Sequence, residues 1–228
     1  MVNSSLSWPS KALNRCIFLV RFSKIVSKTF ARKLKFQLQA IILQAKYPTI
    51  RFASDVSCQI EGELIAQKGV SIGRFSCINI AKNSKVFLGS NVWLNDNCHI
   101  ETLPGQVICI GAGTTLQSRS QIRGDVMIGE LVLIAPNVFI SSGAHLYDYM
   151  PAMSIRKQDL KYLEDKNEYY SRPINIGNDC WLGINVVITP GTTIGQGCVV
   201  GANSVVTKNF PDNVVIGGTP AKLLKSRL

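Results

Sequence analysis

Two histidines occur in the 228-residue chain, His99 and His145. His145 closes the stretch Ile134-Ala135-Pro136-Asn137-Val138-Phe139-Ile140-Ser141-Ser142-Gly143-Ala144-His145. Imidazole titrates close to neutral pH, so His145 is the natural group to take a proton from a hydroxyl. Acyl transfer from a thioester to an alcohol needs that proton removed, together with donors for the tetrahedral oxyanion. Upstream, Gln117, Arg119, Gln121 and Arg123 alternate with Leu116, Ser118, Ser120 and Ile122. This places polar side chains outward, where an acceptor could meet them. His99, in Asn97-Cys98-His99-Ile100, reads as an exposed residue. An all-histidine zinc site needs a third histidine, and no Cys, His and carboxylate set has ligand spacing, so metal-free chemistry is expected.

A repeat sets the elements that must hold these groups. Aliphatic residues recur every six positions at Ile110, Leu116, Ile122, Ile128, Ile134, Ile140 and Leu146, and again at Ile176, Leu182, Ile188, Ile194, Val200 and Val206. In fifteen of the sixteen complete six-residue units the fourth residue after the anchor is small or β-branched, as at Thr114, Ser120, Val126, Val132, Val138, Cys180, Val186 and Cys198. Glycine often follows the anchor. A helix or a plain two-residue alternation would not produce this pattern. A period of six is one short parallel strand and one turn, and three such units make one coil of a triangular β-helix. The pattern covers roughly 58–146 and 174–218. Of the seven cysteines, Cys98, Cys180 and Cys198 take the small position and Cys58 lies in the same phase. They read as buried thiols of a reducing compartment rather than a disulfide framework.

The period fails across 147–173, a polar, Tyr-rich stretch directly after His145, with shorter breaks near 79–87 and 101–109. A long insertion in so regular a solenoid predicts an arm that walls a site.

The net charge of +11 is unevenly placed: residues 1–51 hold ten Lys and Arg and no acid, the first carboxylate being Asp55. Within that segment the spacing of Leu19, Phe22, Val26, Phe30, Leu34, Leu38 and Ile41 predicts an amphipathic helix closed by Pro48, with Arg21, Lys24, Lys28, Arg32 and Lys35 opposite. Two compatible roles follow, docking of residues 11–46 on an anionic membrane or capping of the open end of the β-helix. The composition also resembles an organelle transit peptide. It excludes a disordered chain, and no apolar run is long enough to span a membrane. Nucleic-acid binding is not expected, for want of an aromatic stacking platform.

The six-residue pattern resembles the hexapeptide-repeat acyltransferases, whose fold is a left-handed parallel β-helix. The segment ending at His145, with Trp181-Leu182-Gly183, Pro190-Gly191, Gly201-Ala202-Asn203-Ser204-Val205-Val206-Thr207-Lys208 and Gly217-Gly218-Thr219-Pro220-Ala221-Lys222, is similar to the galactoside and maltose O-acetyltransferases. Gln-Ile-Arg-Gly ahead of Ile-Gly resembles the surface-polysaccharide O-acetyltransferases. The resemblance implies His145 as catalytic base and acetyl-coenzyme A as acyl donor. It implies a homotrimer that holds the donor between adjacent subunits. Ala202, Thr207 and Lys208 would lie along pantetheine and adenosine, Lys222 and Lys225 at phosphates, and Trp181 on the acyl channel. Ile184 stands where the family has a serine, so only its backbone N–H could serve the oxyanion. The acceptor would be a sugar hydroxyl of an O-antigen, capsule or exopolysaccharide, met by Gln117, Arg123 and Ser142. The alternatives are an N-acyltransferase on an amino-sugar nucleotide and a non-catalytic scaffold.

The expected fold is therefore an all-β solenoid, a left-handed parallel β-helix over 54–218 with the insertion 147–173. An amphipathic helical segment over 1–53 precedes it and a basic tail over 219–228 follows. Its expected location is cytoplasmic, peripheral at the inner face of the membrane.

Overall fold

The computed structural model describes residue 38 and residues 41–53 and 55–228. These form a three-sided parallel β-solenoid. One side is a nine-stranded sheet running from Ile50–Phe52 to Ala221–Ser226, the second has seven strands from Ser57–Ile60 to Val205–Val206, and the third has six. Every pairing between coils is parallel and in register, Leu94 with Leu116, Leu116 with Ile134, and Ile134 with Leu182 on the first side. The aliphatic anchors stack through the centre: Leu94, Ile100, Ile110, Leu116, Ile122, Ile140, Leu182 and Ile188 have no exposed surface. Burying one such side chain contributes about 1.5–3 kcal/mol.

The small position has a physical reason beyond space. Ser76, Thr114 and Ser120 are buried there, and each hydroxyl donates to a carbonyl one coil on, those of Asn95, Gly129 and Ala135. The same oxygens accept N–H groups from Cys98, Val132 and Val138. A buried hydroxyl so paired costs nothing and ties the coils together. Cys98, Cys180 and Cys198 occupy this position as expected, buried, and burial pushes the Cys98 and Cys180 thiols up to about 11. Ala144 departs from the pattern: it is exposed, because the chain has already left the coil.

At the turn from the first side to the second, Asn97, Asn137, Asn185 and Asn203 all sit at positive φ, with Arg119 in the same place one coil after Asn97. Asparagine tolerates this left-handed backbone better than other L-residues. Its amides also form a ladder: Arg119 Nε donates to Asn137 Oδ1 (2.7 Å), Asn137 Nδ2 to Asn185 Oδ1 (3.0 Å), and Asn185 Nδ2 to Asn203 Oδ1 (2.9 Å).

Most of the basic amphipathic segment lies outside the described residues. Residues 41–46 are helical and Tyr47 N–H closes the last turn on Leu43 O, just before Pro48. Leu43 is buried, whereas Leu38 and Ile41 of the expected stripe are exposed. Among the described residues no helix is long and apolar enough to cross a membrane.

At the other end the structure differs from a free basic tail. Ala221–Ser226 is an antiparallel strand on Val214–Gly218, joined by a cis Thr219–Pro220 bond. Arg227 Nη1 binds Asp179 Oδ2 (2.9 Å) and Gly197 O (2.8 Å), so this cation is already neutralised by the solenoid.

Candidate active site

The insertion leaves from the turn between the second and third sides, after the strand Phe139–Ser141, and returns at Ile174–Ile176. It holds a helix, Ile155–Lys166, not foreseen from its polar sequence. The helix starts beyond extended Ser154 and ends at left-handed Asn167, whose N–H caps Leu163 O. Gln158, the buried helix residue, accepts from Met150 N–H (3.0 Å) and donates to Met153 O (3.0 Å) and Tyr147 O (3.3 Å). That one side chain fixes the segment between His145 and the helix.

The root of the arm is a closed ring. Asp125 N–H donates to Ser142 Oγ (2.7 Å), Ser142 Oγ lies 2.7 Å from Ser171 Oγ, and Ser171 donates to Asp125 Oδ2 (2.6 Å). Because the Ser171 hydroxyl already donates to Asp125, Ser142 donates to Ser171. Gly124 makes this possible: its φ is +88°, and a Cβ there would collide with Ser142 Oγ.

These supports bring Asp159 to His145. Asp159 Oδ2 is 2.7 Å from His145 Nδ1, and its Oδ1 accepts Leu146 N–H at 2.8 Å. Burial pushes the Asp159 carboxyl up, but the bonds from Leu146 and His145 outweigh it and hold it below its ordinary value. An ionised Asp159 can only accept, so Nδ1 carries a proton, and in the neutral imidazole the lone pair is on Nε2. The His145 side chain is 83% exposed, and it lines a cavity of about 610 Å³. Arg123, Glu101, Phe139, Tyr169 and Tyr170 form other parts of that wall.

Of the residues expected at the site, the structure brings His145 and Arg123 to one cavity. Gln117 is on the turn that carries the asparagine ladder, accepting from Asn95 Nδ2 at 3.0 Å, and does not line the cavity. Ser142 is fully buried with its hydroxyl committed to the ring at the root of the arm, so it supports the arm instead of facing an acceptor. His99, read as exposed, is half-buried behind Arg123, with its Nδ1 3.4 Å from Arg123 Nη2.

The expected donor-binding residues lie elsewhere. Trp181 stands outward on the first side between Leu133 and Val199, 53% exposed. Ile184 and Ala202 are exposed at the turn that follows that side. Thr207 and Lys208 are exposed at the turn after the second side, the turn that also carries His145. Lys222 and Lys225 are exposed on the final strand. On one chain these residues occupy different edges of the prism and do not enclose a common pocket with His145. Three residues escaped sequence reasoning: Asp159, Glu101 and Tyr170. Asp159 is fourteen positions from His145, and the only hint was that an acid falls in an insertion directly after a histidine.

A three-sided parallel solenoid with a histidine–carboxylate pair at the root of an inserted arm defines a class. The family model "Bacterial transferase hexapeptide (six repeats)" matches residues 173–208, and the chain is similar to proteins of that kind. It is 37% identical over 149 residues to the galactoside O-acetyltransferase of Escherichia coli K12, covering 64% of this chain and 66% of that protein. It is also 37% identical over 143 residues to WbbJ of the same organism, covering 61% of this chain and 60% of that protein. WbbJ is provisionally named a lipopolysaccharide biosynthesis O-acetyl transferase. The chain thus spans a little under two thirds of the length of these curated relatives. Among solved structures, the polySia-specific acetyltransferase NeuO superposes with a TM-score of 0.52 at 20% identity, covering 79% of this chain and 88% of that one. That likeness establishes the fold.

Proposed function

We propose that the protein transfers an acetyl group from acetyl-coenzyme A to a sugar hydroxyl of a bacterial surface polysaccharide. The observation that carries this reading is the His145–Asp159 pair opening on an aromatic-walled cavity. Asp159 holds the imidazole by Nδ1, so Nε2 takes the proton as the acceptor oxygen attacks the thioester carbonyl. The imidazolium then returns that proton to the departing coenzyme A thiolate, and the new ester bond replaces the C–S bond. Such a base contributes about 10²–10⁴-fold. An alcohol needs this help more than an amine does, which favours O- over N-acylation. The names of the two Escherichia coli relatives agree with an O-acetyl acceptor.

The donor is best accommodated between two copies. Thr207 and Lys208 share the His145 edge, while Trp181, Ile184 and Ala202 face away at another, so a groove between adjacent subunits of a trimer would join one copy's base to the other's donor-binding edge. Lys222 and Lys225 supply exposed cations for the phosphates, the Ile184 N–H a donor for the oxyanion, and no metal is invoked. The basic segment 11–46 would bring the trimer to an anionic membrane surface at the cytoplasmic side.

The test is acetyl transfer to nucleotide sugars, free glycosides and lipid-linked glycans, read by mass spectrometry, with His145→Ala alongside. Loss of transfer with the fold and coenzyme A binding intact is expected. Undiminished turnover by the variant, or transfer to amino sugars alone, overturns the reading.

A further inference from the structure

The cavity wall opposite His145 has a charge arrangement that bears on which sugars can enter. On the outer face of the second side, Glu101, Arg123 and Ser141 lie side by side on neighbouring coils. His99 and Phe139 flank Gln121 in the adjoining row. Arg123 Nε is 3.3 Å from Glu101 Oε2, and Arg123 Nη2 is 3.4 Å from His99 Nδ1. That bond makes His99 Nδ1 the acceptor, so its proton is on Nε2, 4.0 Å from the same Glu101 oxygen. Arg123 Nε and His99 Nε2 are both shut off from solvent, and neither completes a well-aligned hydrogen bond. Burial pushes His99 down, so it adds no positive charge near neutral pH.

Among the described residues Arg123 is the one Lys or Arg lining the cavity, and it already faces a carboxylate. The remaining carboxylate of the wall, Asp159, is committed to His145 and Leu146. Among the described residues of one chain the wall therefore offers no Lys or Arg without a carboxylate partner, and the Glu101–Arg123 pair is close to neutral. Against this polar edge, Leu103, Phe139, Tyr169 and Tyr170 supply apolar and aromatic surface. That combination suits the C–H face of a pyranose ring with hydroxyls turned to Glu101 and Arg123.

We propose that Glu101 is the residue that sets acceptor charge: by neutralising Arg123 it makes the cavity a site for an uncharged pyranose and turns away sugars bearing a carboxylate or phosphate. This rests on the cavity being the acceptor site of the proposed reaction, and it adds which acceptors that site takes. A carboxylate brought beside Glu101 would meet a pair whose cation is already matched, so it would lose its own hydration without gaining a counter-ion.

The test is saturation-transfer NMR on the intact protein, with methyl β-D-glucopyranoside and methyl β-D-glucuronide as probes. The neutral glycoside should bind at least about 5-fold more tightly, as expected for roughly 1 kcal/mol, with saturation on its ring protons. Phe139→Ala should remove that signal. Glu101→Gln, which keeps the shape of the side chain and frees Arg123, should narrow or invert the preference. Equal or tighter binding of the glucuronide by the unaltered protein overturns the proposal, as does binding of neither sugar. An unchanged preference in a folded Glu101→Gln variant overturns it as well. These readouts do not use acetyl-coenzyme A. Failure of acetyl transfer with preserved sugar preference therefore counts against the reaction, not against the charge assignment.

Discussion

Two edges of the same prism are built by different rules. Between the first and second sides, each turn has the same length from coil to coil: 73–76, 95–98, 117–120, 135–138, 183–186 and 201–204. Between the second and third sides the turns are 61–62, 81–84, 102–106, 124–125, 142–173 and 189–192. The irregularities of the repeat gather at this second edge, and so does the His145–Asp159 pair. The regular edge ties the coils from Arg119 to Asn203 through the asparagine ladder, which tolerates no change in length. The irregular edge has no ladder to keep, so it can lengthen into the arm that carries Asp159. The edge bound by the ladder and the edge that carries the His145–Asp159 pair are thus separated around the circumference of one short coil.

Substitutions on the two edges should therefore fail in different ways. The largest effect is expected for His145→Ala, a loss of about 10²–10⁴-fold in kcat with an unchanged melting temperature, since the side chain is exposed. A fall in melting temperature would show that the irregular edge also holds the fold. Next, Asp159→Asn should lower kcat by about 10-fold or more, with little added loss in the His145→Ala background, because the two act as a unit. Additive losses in that double variant would dissolve the pair.

Gly124→Ala should cost about 1–3 kcal/mol by denaturant titration. It should also reduce activity, because its Cβ breaks the ring of Asp125, Ser142 and Ser171 at the root of the arm. Across the prism, Asn137→Ala should cost about 1–3 kcal/mol from its left-handed backbone and two lost bonds, while leaving kcat near that of the unaltered protein at low temperature.

The smallest effect concerns acid. The Asp159 carboxyl is held below its ordinary 3.8 in the fold, so its share of stability is present above that value and is lost as the pH falls through the lowered one. Asp159→Asn should flatten the acid limb of the stability curve there, and an unchanged limb would argue that the carboxylate is not bonded in solution.

The two edges also differ in how far the sequence reveals them. A residue such as Ile122 or Asn185 announces itself, because its role repeats at a fixed spacing and the spacing is the structure. Trp181 is legible as outward-facing for the same reason. Ser142 is not: it sits where the coil ends, and only the return of the chain at Ser171 decides that its hydroxyl turns inward. Asp159 is illegible by any period, since its position depends on how Gln158 packs against Met150 and Met153. The helix that carries it has no strong apolar stripe to announce it. Glu101 lies at one of the short breaks, where the period is silent about which way a side chain points.

The arm returns the chain to a coil that closes as if nothing had been inserted: Val126 pairs with Ile174 and Ile128 with Ile176, while Phe139 and Ile140 meet Val187 and Ile188. The hydrogen bonds that hold the arm are nearly all to itself or to its own root. In engineering terms it is a cartridge seated in a socket made by Asp125, Ser142 and Ser171. Replacing the arm would change Asp159 and the Tyr169–Tyr170 part of the cavity wall without rethreading one strand of the solenoid. The socket, and not the sequence of the arm, is then the feature to carry over when such arms are exchanged between solenoids.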